Sequence, residues 1–184
     1  MTPALDLHPE HMMPICDCDQ SFIWNTCWTI GLARKLGVPI LVMEHKRLGE
    51  TIPEVKAAAA DAPHVEIVTF SFIENPASRV RIEQSGRDQL IFLGNETHIS
   101  IFQSAVDAAK EGYHPFVLAE GCAARDRDDH VAAVERLRQN RVEIVTREMV
   151  LFEWVRSSED PIYRETSIEF LKHPHRFPRP EHLA

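Results

Sequence analysis

The sequence predicts an α/β fold, a three-layer α/β/α sandwich built on a six-stranded, mainly parallel sheet. Short apolar runs bounded by glycine, proline or asparagine recur along the chain, and stretches with apolar residues at helical spacing lie between them. The two patterns alternate through nearly the whole length. Alternation of this kind calls for crossover connections, which make neighbouring strands parallel and cover both faces of the sheet with helices. At 184 residues the chain is long enough for one such domain with a substantial core and short for two.

The elements follow in order. Residues 3–7 read as a short first strand. A serine or aspartate at 19 to 21 is placed to cap a helix that Gly37 ends, and the apolar run 38–43 is a buried strand. Pro53 opens a helix of good helix formers, because its fixed φ suits the first turn. Residues 65–70 form the third strand, 76–85 a helix closed by Gly86, and 89–93 the fourth strand. A helix over 97–112 follows, then a strand at 115–119, a helix at 128–140, a last strand at 142–145 and a closing helix from 147 to about 156. From Ser157 the composition changes, and the prolines near the end oppose regular structure. The chain thus divides into a domain over 1–156 and an arm or tail over 157–184, either wrapped on a neighbouring subunit or frayed. Phe22, Trp24 and Trp28 suit the core better than a subunit contact, and Phe152 and Trp154 on the closing helix pose the same choice.

Composition narrows the function. Acidic residues number 28 against 20 basic, and no Lys/Arg cluster is interleaved with aromatics, so neither nucleic acid nor an anionic membrane is the expected partner. A small molecule or a protein is. No apolar run approaches the roughly eighteen residues of a membrane span, and the first residues lack the pattern of a signal peptide, so a cytoplasmic place is expected. Cys16 and Cys18 are too close for a metal half-site, and Cys27 and Cys122 form no second pair. Glu44 and His45, adjacent in a strand, point to opposite faces. Neither a metal nor a cofactor is expected.

Ligands of open α/β sheets bind beyond the carboxyl ends of the strands. That rule selects residues 6–8, 44–45, 67–71, 94–100 and 120–123. The segment Gly94-Asn95-Glu96-Thr97-His98-Ile99-Ser100 is the most chemical of these: it puts Ser100 in the first turn of a helix that leaves a buried strand.

These blocks, with the segments 4–14, 36–44, 48–54, 69–76 and 146–152 in their order, resemble the isochorismatase-like superfamily of cysteine hydrolases. The likeness is to its non-metal isochorismatase-domain branch. The resemblance implies an Asp-Lys-Cys triad, with cysteine as nucleophile, aspartate as general base and lysine favouring the ionised forms of both. It implies an oxyanion site around Asn95, Glu96, Ile99 and Ser100, with a cis peptide at Asn95–Glu96, and a pocket reached by His8, Phe70 and Thr97. It also implies a homo-oligomer.

Carried over residue by residue, Asp6 matches the aspartate, Ile67 stands at the lysine and Ser100 at the cysteine. Two of the three triad positions are therefore replaced. Lys46 corresponds to a loop lysine the family has in addition, and Lys56 falls on a helix. A serine hydroxyl is a poor nucleophile without an adjacent base, and His98, two residues earlier, faces away on a helix. Two readings stand: a hydrolase-family protein with little or no cysteine-hydrolase activity, or a working hydrolase of a small amide, ester or vinyl ether that uses Asp6 and Ser100.

Overall fold

In the computed structural model, which describes residues 2–6, 19–47 and 50–172, six strands form one sheet in the order β3-β2-β1-β4-β5-β6. The strands are β1 (Thr2–Asp6), β2 (Leu41–His45), β3 (His64–Ile67), β4 (Gln89–Gly94), β5 (His114–Cys122) and β6 (Glu143–Val145), and every pairing is parallel. The helices between them are α1 (Asp19–Lys35), α2 (Pro53–Ala58), α3 (Pro76–Ser85), α4 (Phe102–Lys110) and α5 (Arg127–Gln139), followed by α6 (Arg147–Val155) and α7 (Pro161–Thr166). The predicted fold class and strand count are those observed.

Because parallel crossovers are right-handed, the direction in which the chain steps across the sheet decides which face a helix covers. From β1 to β3 the chain steps one way, and from β4 to β6 the other. Helices α1 and α2 therefore cover one face, α4 and α5 the opposite one. The reversal falls between β1 and β4, which are neighbours. Leu90, Ile91, Phe92 and Leu93 of β4 are all buried, as a strand covered on both faces requires. Among the described residues no helix is long and apolar enough to cross a membrane.

Strand boundaries move for local reasons. β2 begins at Leu41 rather than 38, because Val38 N donates to Ala33 O (2.8 Å) and so still closes α1. β3 stops at Ile67, three residues early. It is an edge strand, and Thr69 Oγ donating to Ser71 O (2.8 Å) turns the chain away. The helix after β4 starts with a π-helical turn, Thr97–Ile101, before α4.

Part of the expected arm is helical: α7 runs on into a π-helical segment, Ser167–Lys172, and both lie against the body, while residues 173–184, with the prolines expected to oppose regular structure, lie outside the described residues. Pro161 does not oppose this: it sits in the first turn of α7, where its missing N–H has no intrahelical role, and Asp160 caps that turn by accepting from Ile162 N (2.9 Å). Phe170 is buried edge-on to Trp28 with ring centroids 5.3 Å apart, and Trp28 Nε1 donates to Phe170 O (2.9 Å). With Trp24, Leu32, Leu151 and Val155 they form a second apolar cluster beside the main core. The Arg147 guanidinium lies 4.2 Å from the Trp24 ring centroid, a cation–π contact that holds α6 to α1. Trp24 and Trp28 are thus core residues, as is Phe22, while Phe152 is half-exposed.

Truncation at Phe170 tests whether this region is integral. Phe170→Ala is expected to destabilise the fold by about 3–5 kcal/mol, the usual cost of emptying a buried aromatic site, measured by urea unfolding. A loss below about 1 kcal/mol would show that residues 161–172 are dispensable.

Candidate functional site

The crevice between β1 and β4 is where the fold places a ligand, since crossovers diverge there and leave the strand ends uncovered. Asp6 ends β1 at this point, in register with Met43 of β2 on one side and Gly94 of β4 on the other. His8 lies outside the described residues.

After Gly94 the chain turns sharply. Gly94 has φ 141° and Glu96 φ 57°, and a side chain at 94 would strain the backbone. The turn is pinned to the end of β5 on both sides: Ala123 N donates to Gly94 O (3.1 Å), and Thr97 N donates to Ala123 O (2.8 Å). Asn95 Oδ1 accepts from Glu96 N (2.9 Å). The expected cis peptide at Asn95–Glu96 is not found; the bond is trans, and the reversal is achieved by the positive φ of Gly94 and Glu96.

Ser100 follows in the π-helical turn and is 4 % exposed. Its environment holds no base from the neighbouring turn. His98 faces away, with Nδ1 3.6 Å from Glu96 Oε2 and Nε2 3.6 Å from Asp129 Oδ2. Glu96 is buried, and Arg125 Nε lies 2.8 Å from its Oε1 but out of line for a hydrogen bond, so charge rather than direction holds this pair. The sequence pattern had no means of pairing Glu96 with Arg125, which approach only because β5 returns beside β4.

Thr97, expected in the pocket, is fully buried. Its hydroxyl donates to Ala123 O (2.8 Å), and having a single proton it must then accept from His130 Nδ1–H (2.9 Å). Burial holds the His130 ring below its ordinary pKa, so the fold keeps it neutral.

Ile67, at the position where the resemblance places lysine, is 1 % exposed and belongs to the main core. All five lysines of the chain lie among the described residues. Lys35 pairs with Glu165 and Glu169 (3.2 and 3.0 Å), Lys46 with Glu66 (3.4 Å), Lys56 with Glu50 (2.8 Å) and Lys110 with Asp107 (2.8 Å). Lys172 ends the segment after α7. Among the described residues cysteine offers no replacement at position 100 either. Cys122 is buried in β5 with Sγ toward Phe92 O, and the Cys27 thiol in α1 is pushed up to about 11 by burial and by the Glu54 charge.

The stretch after β3 crosses toward α4. Ser104 Oγ accepts from Phe72 N (2.9 Å), tying the stretch to the helix that follows Ser100. The Ser71 hydroxyl is buried without a partner. Phe70 is half-exposed and stacks on His45 with ring centroids 5.6 Å apart. His45 is a strut rather than a ligand: Nδ1 accepts from Arg47 N (3.3 Å), which leaves the proton on Nε2 to be donated to Val68 O (3.1 Å). Glu44 is held below the usual carboxylate range; burial acts to raise it, but two hydrogen bonds from Thr51 prevail. Among the described residues no three histidine, cysteine or carboxylate side chains converge as a metal site. A cavity of about 180 Å³ lined by Pro39, Ile40, Leu41, Ile82 and Leu90 lies at the amino ends of β2 and β4, the far edge of the sheet from Ser100.

Comparison with known proteins fixes the family. The isochorismatase domain model matches residues 19–149, and the chain belongs to that family. Isochorismatase domain-containing protein 2 of Bos taurus is 30% identical over 179 residues, covering 89% of this chain and 85% of its own. Isochorismatase domain-containing protein 1 of Danio rerio is 31% identical over 135 residues, 72% of this chain; the match spans only 47%, about half, of that relative. Among solved structures, the octameric hydrolase YcaC of Escherichia coli superposes with a TM-score of 0.84 at 20% identity, covering 95% of this chain and 90% of its own. A MAR1 ribonuclease of Caenorhabditis elegans gives 0.82 at 23%, covering 93% and 90%. At such identities the two structures speak for the fold alone.

The neutral His130 makes stability pH-dependent. Its folded pKa lies below the unfolded value of 6.5, so its contribution is complete above 6.5 and is lost as pH falls toward the folded value. Urea midpoints are expected to drop across that window, and His130→Gln should flatten the drop. An unchanged slope in the variant would remove His130 from the account.

Proposed function

We propose that this chain is a small-molecule-binding member of the isochorismatase family with little or no cysteine-hydrolase activity, its pocket formed around Asp6, Ile67 and Ser100. One observation supports the reading: with all five lysines in view, four are paired with acids, Lys46 with the exposed Glu66 beside Ile67, and Ile67 itself is in the core. A thiolate–carboxylate site needs a cation to keep both groups ionised. Here both the thiol and the lysine of the family's pattern are replaced, so the chemistry that required them has no support. We further propose a cytoplasmic homo-oligomer; the exposed Val68 and Phe70 beside the site and the octameric state of Escherichia coli YcaC favour self-association.

A second reading keeps catalysis, with Asp6 and Ser100 acting on a small amide, ester or vinyl ether. The buried Ser100 at the start of a helix favours it, because backbone N–H groups there suit an oxyanion. With His98 engaged by Glu96 and Asp129, any such rate is expected to be low.

Turnover separates the two. Purified protein is expected to give no Asp6-dependent hydrolysis of nicotinamide, isochorismate or short amides and esters, with Asp6→Asn run beside it to expose a contaminating hydrolase. Turnover that disappears in Asp6→Asn would establish the second reading.

A further inference from the structure

The cavity at the amino ends of β2 and β4 has a polar side as well as an apolar one. Buried Leu41, Ile82 and Leu90 line it together with Ile40 and Pro63. Its polar side comes from a single helix. Arg81, Gln84 and Ser85 stand at i, i+3 and i+4 on α3, a spacing that brings all three to one face, and no acidic side chain lines the cavity. The Ser85 hydroxyl is engaged within the helix: it donates to Ile82 O (2.6 Å) and accepts from Arg87 N (3.3 Å). The other two are not engaged. Arg79, two residues before Arg81, pairs with Glu111 (3.2 Å), whereas the exposed Arg81 guanidinium and the Gln84 amide make no ion pair or hydrogen bond among the described residues.

We propose that this cavity binds small monocarboxylates with an apolar body, a ring or a branched chain. A recess lined mainly by apolar side chains, with a few polar groups at one side, is the usual make-up of a small-molecule site, and about 180 Å³ admits only a small body. The planar fork of a guanidinium matches a carboxylate through two parallel N–H···O bonds, and the Gln84 amide adds a donor beside it. The body of the ligand lies against Ile40, Ile82 and Leu90. Because Arg81 is exposed, water screens the charged pair, so neither half of the ligand suffices alone. No bond is made or broken in this binding. The site lies across the sheet from Ser100 and does not depend on the function assigned to the pocket there.

The test titrates benzoate, its neutral isostere benzamide, and acetate into the full chain by calorimetry, with saturation-transfer NMR to confirm contact. Benzoate is expected to bind about fivefold tighter than benzamide, in line with the modest worth of an exposed charged pair, and roughly tenfold tighter than acetate, which has almost no apolar surface to bury. Arg81→Met, a good helix former at an exposed helical position, should abolish the preference for benzoate over benzamide. Ile40→Phe, which enlarges a side chain lining the cavity, should weaken both ring compounds, and circular dichroism checks that this variant is folded; if it is not, Arg81→Met carries the decision. Equal binding of benzoate and benzamide, no binding of either, acetate as tight as benzoate, or a preference that survives Arg81→Met would each overturn the proposal.

Discussion

The functional edge of this molecule depends on one backbone arrangement, the clamp of Ala123 on the turn that follows β4. Ala123 donates to Gly94 and accepts from Thr97, so the end of β5 holds both sides of the reversal that sends the chain into the helix of Ser100. The Thr97 hydroxyl repeats the bond to Ala123 and leans on His130 of α5. A buried acid with positive φ in the middle of that turn is tolerable because Arg125 lies against it. The position of Ser100 is thus set by β5 and α5 and does not depend on what chemistry the serine performs. A family can keep such a frame after its reactive groups have changed.

On the proposed reading, the frame and the chemistry have separated for a physical reason. A nucleophilic thiolate near neutral pH requires a nearby cation, and a lysine in a core position requires anions to offset its burial. The three groups depend on each other. With isoleucine at position 67 the apolar core holds a well-packed residue, and on the proposed reading a thiol at position 100 would lack the charge that holds it ionised. Serine at that position is consistent with an electrostatic unit that was lost as a whole.

Much of this was legible in the sequence. The alternation of strand and helix patterns sufficed for the sheet and its six strands, and Gly86, Pro53 and Pro76 marked helix ends by mechanisms that need no tertiary contact. What could not be read was set between distant segments. β3 ends early because an edge strand has one partner, and α7 forms because Trp28, more than a hundred residues earlier, offers Phe170 a place to bury. Thr97 was assigned to the pocket on its position alone, whereas its hydroxyl serves β5 and α5. The trans geometry at Asn95–Glu96 follows from local φ values that composition does not reveal. The replacements at 67 and 100 were visible from the resemblance; that four of the five lysines pair with acids needed the structure.

The absence of a cation is measured most directly by giving the site a thiol and titrating it. In Ser100→Cys, the rate of alkylation by iodoacetamide against pH should report a thiol that ionises at or above the roughly 8.5 of an ordinary cysteine, and adding Ile67→Lys should lower that value. A thiol in the single variant that ionises below about 7 would mean that some positive group already attends position 100, and the account would be wrong.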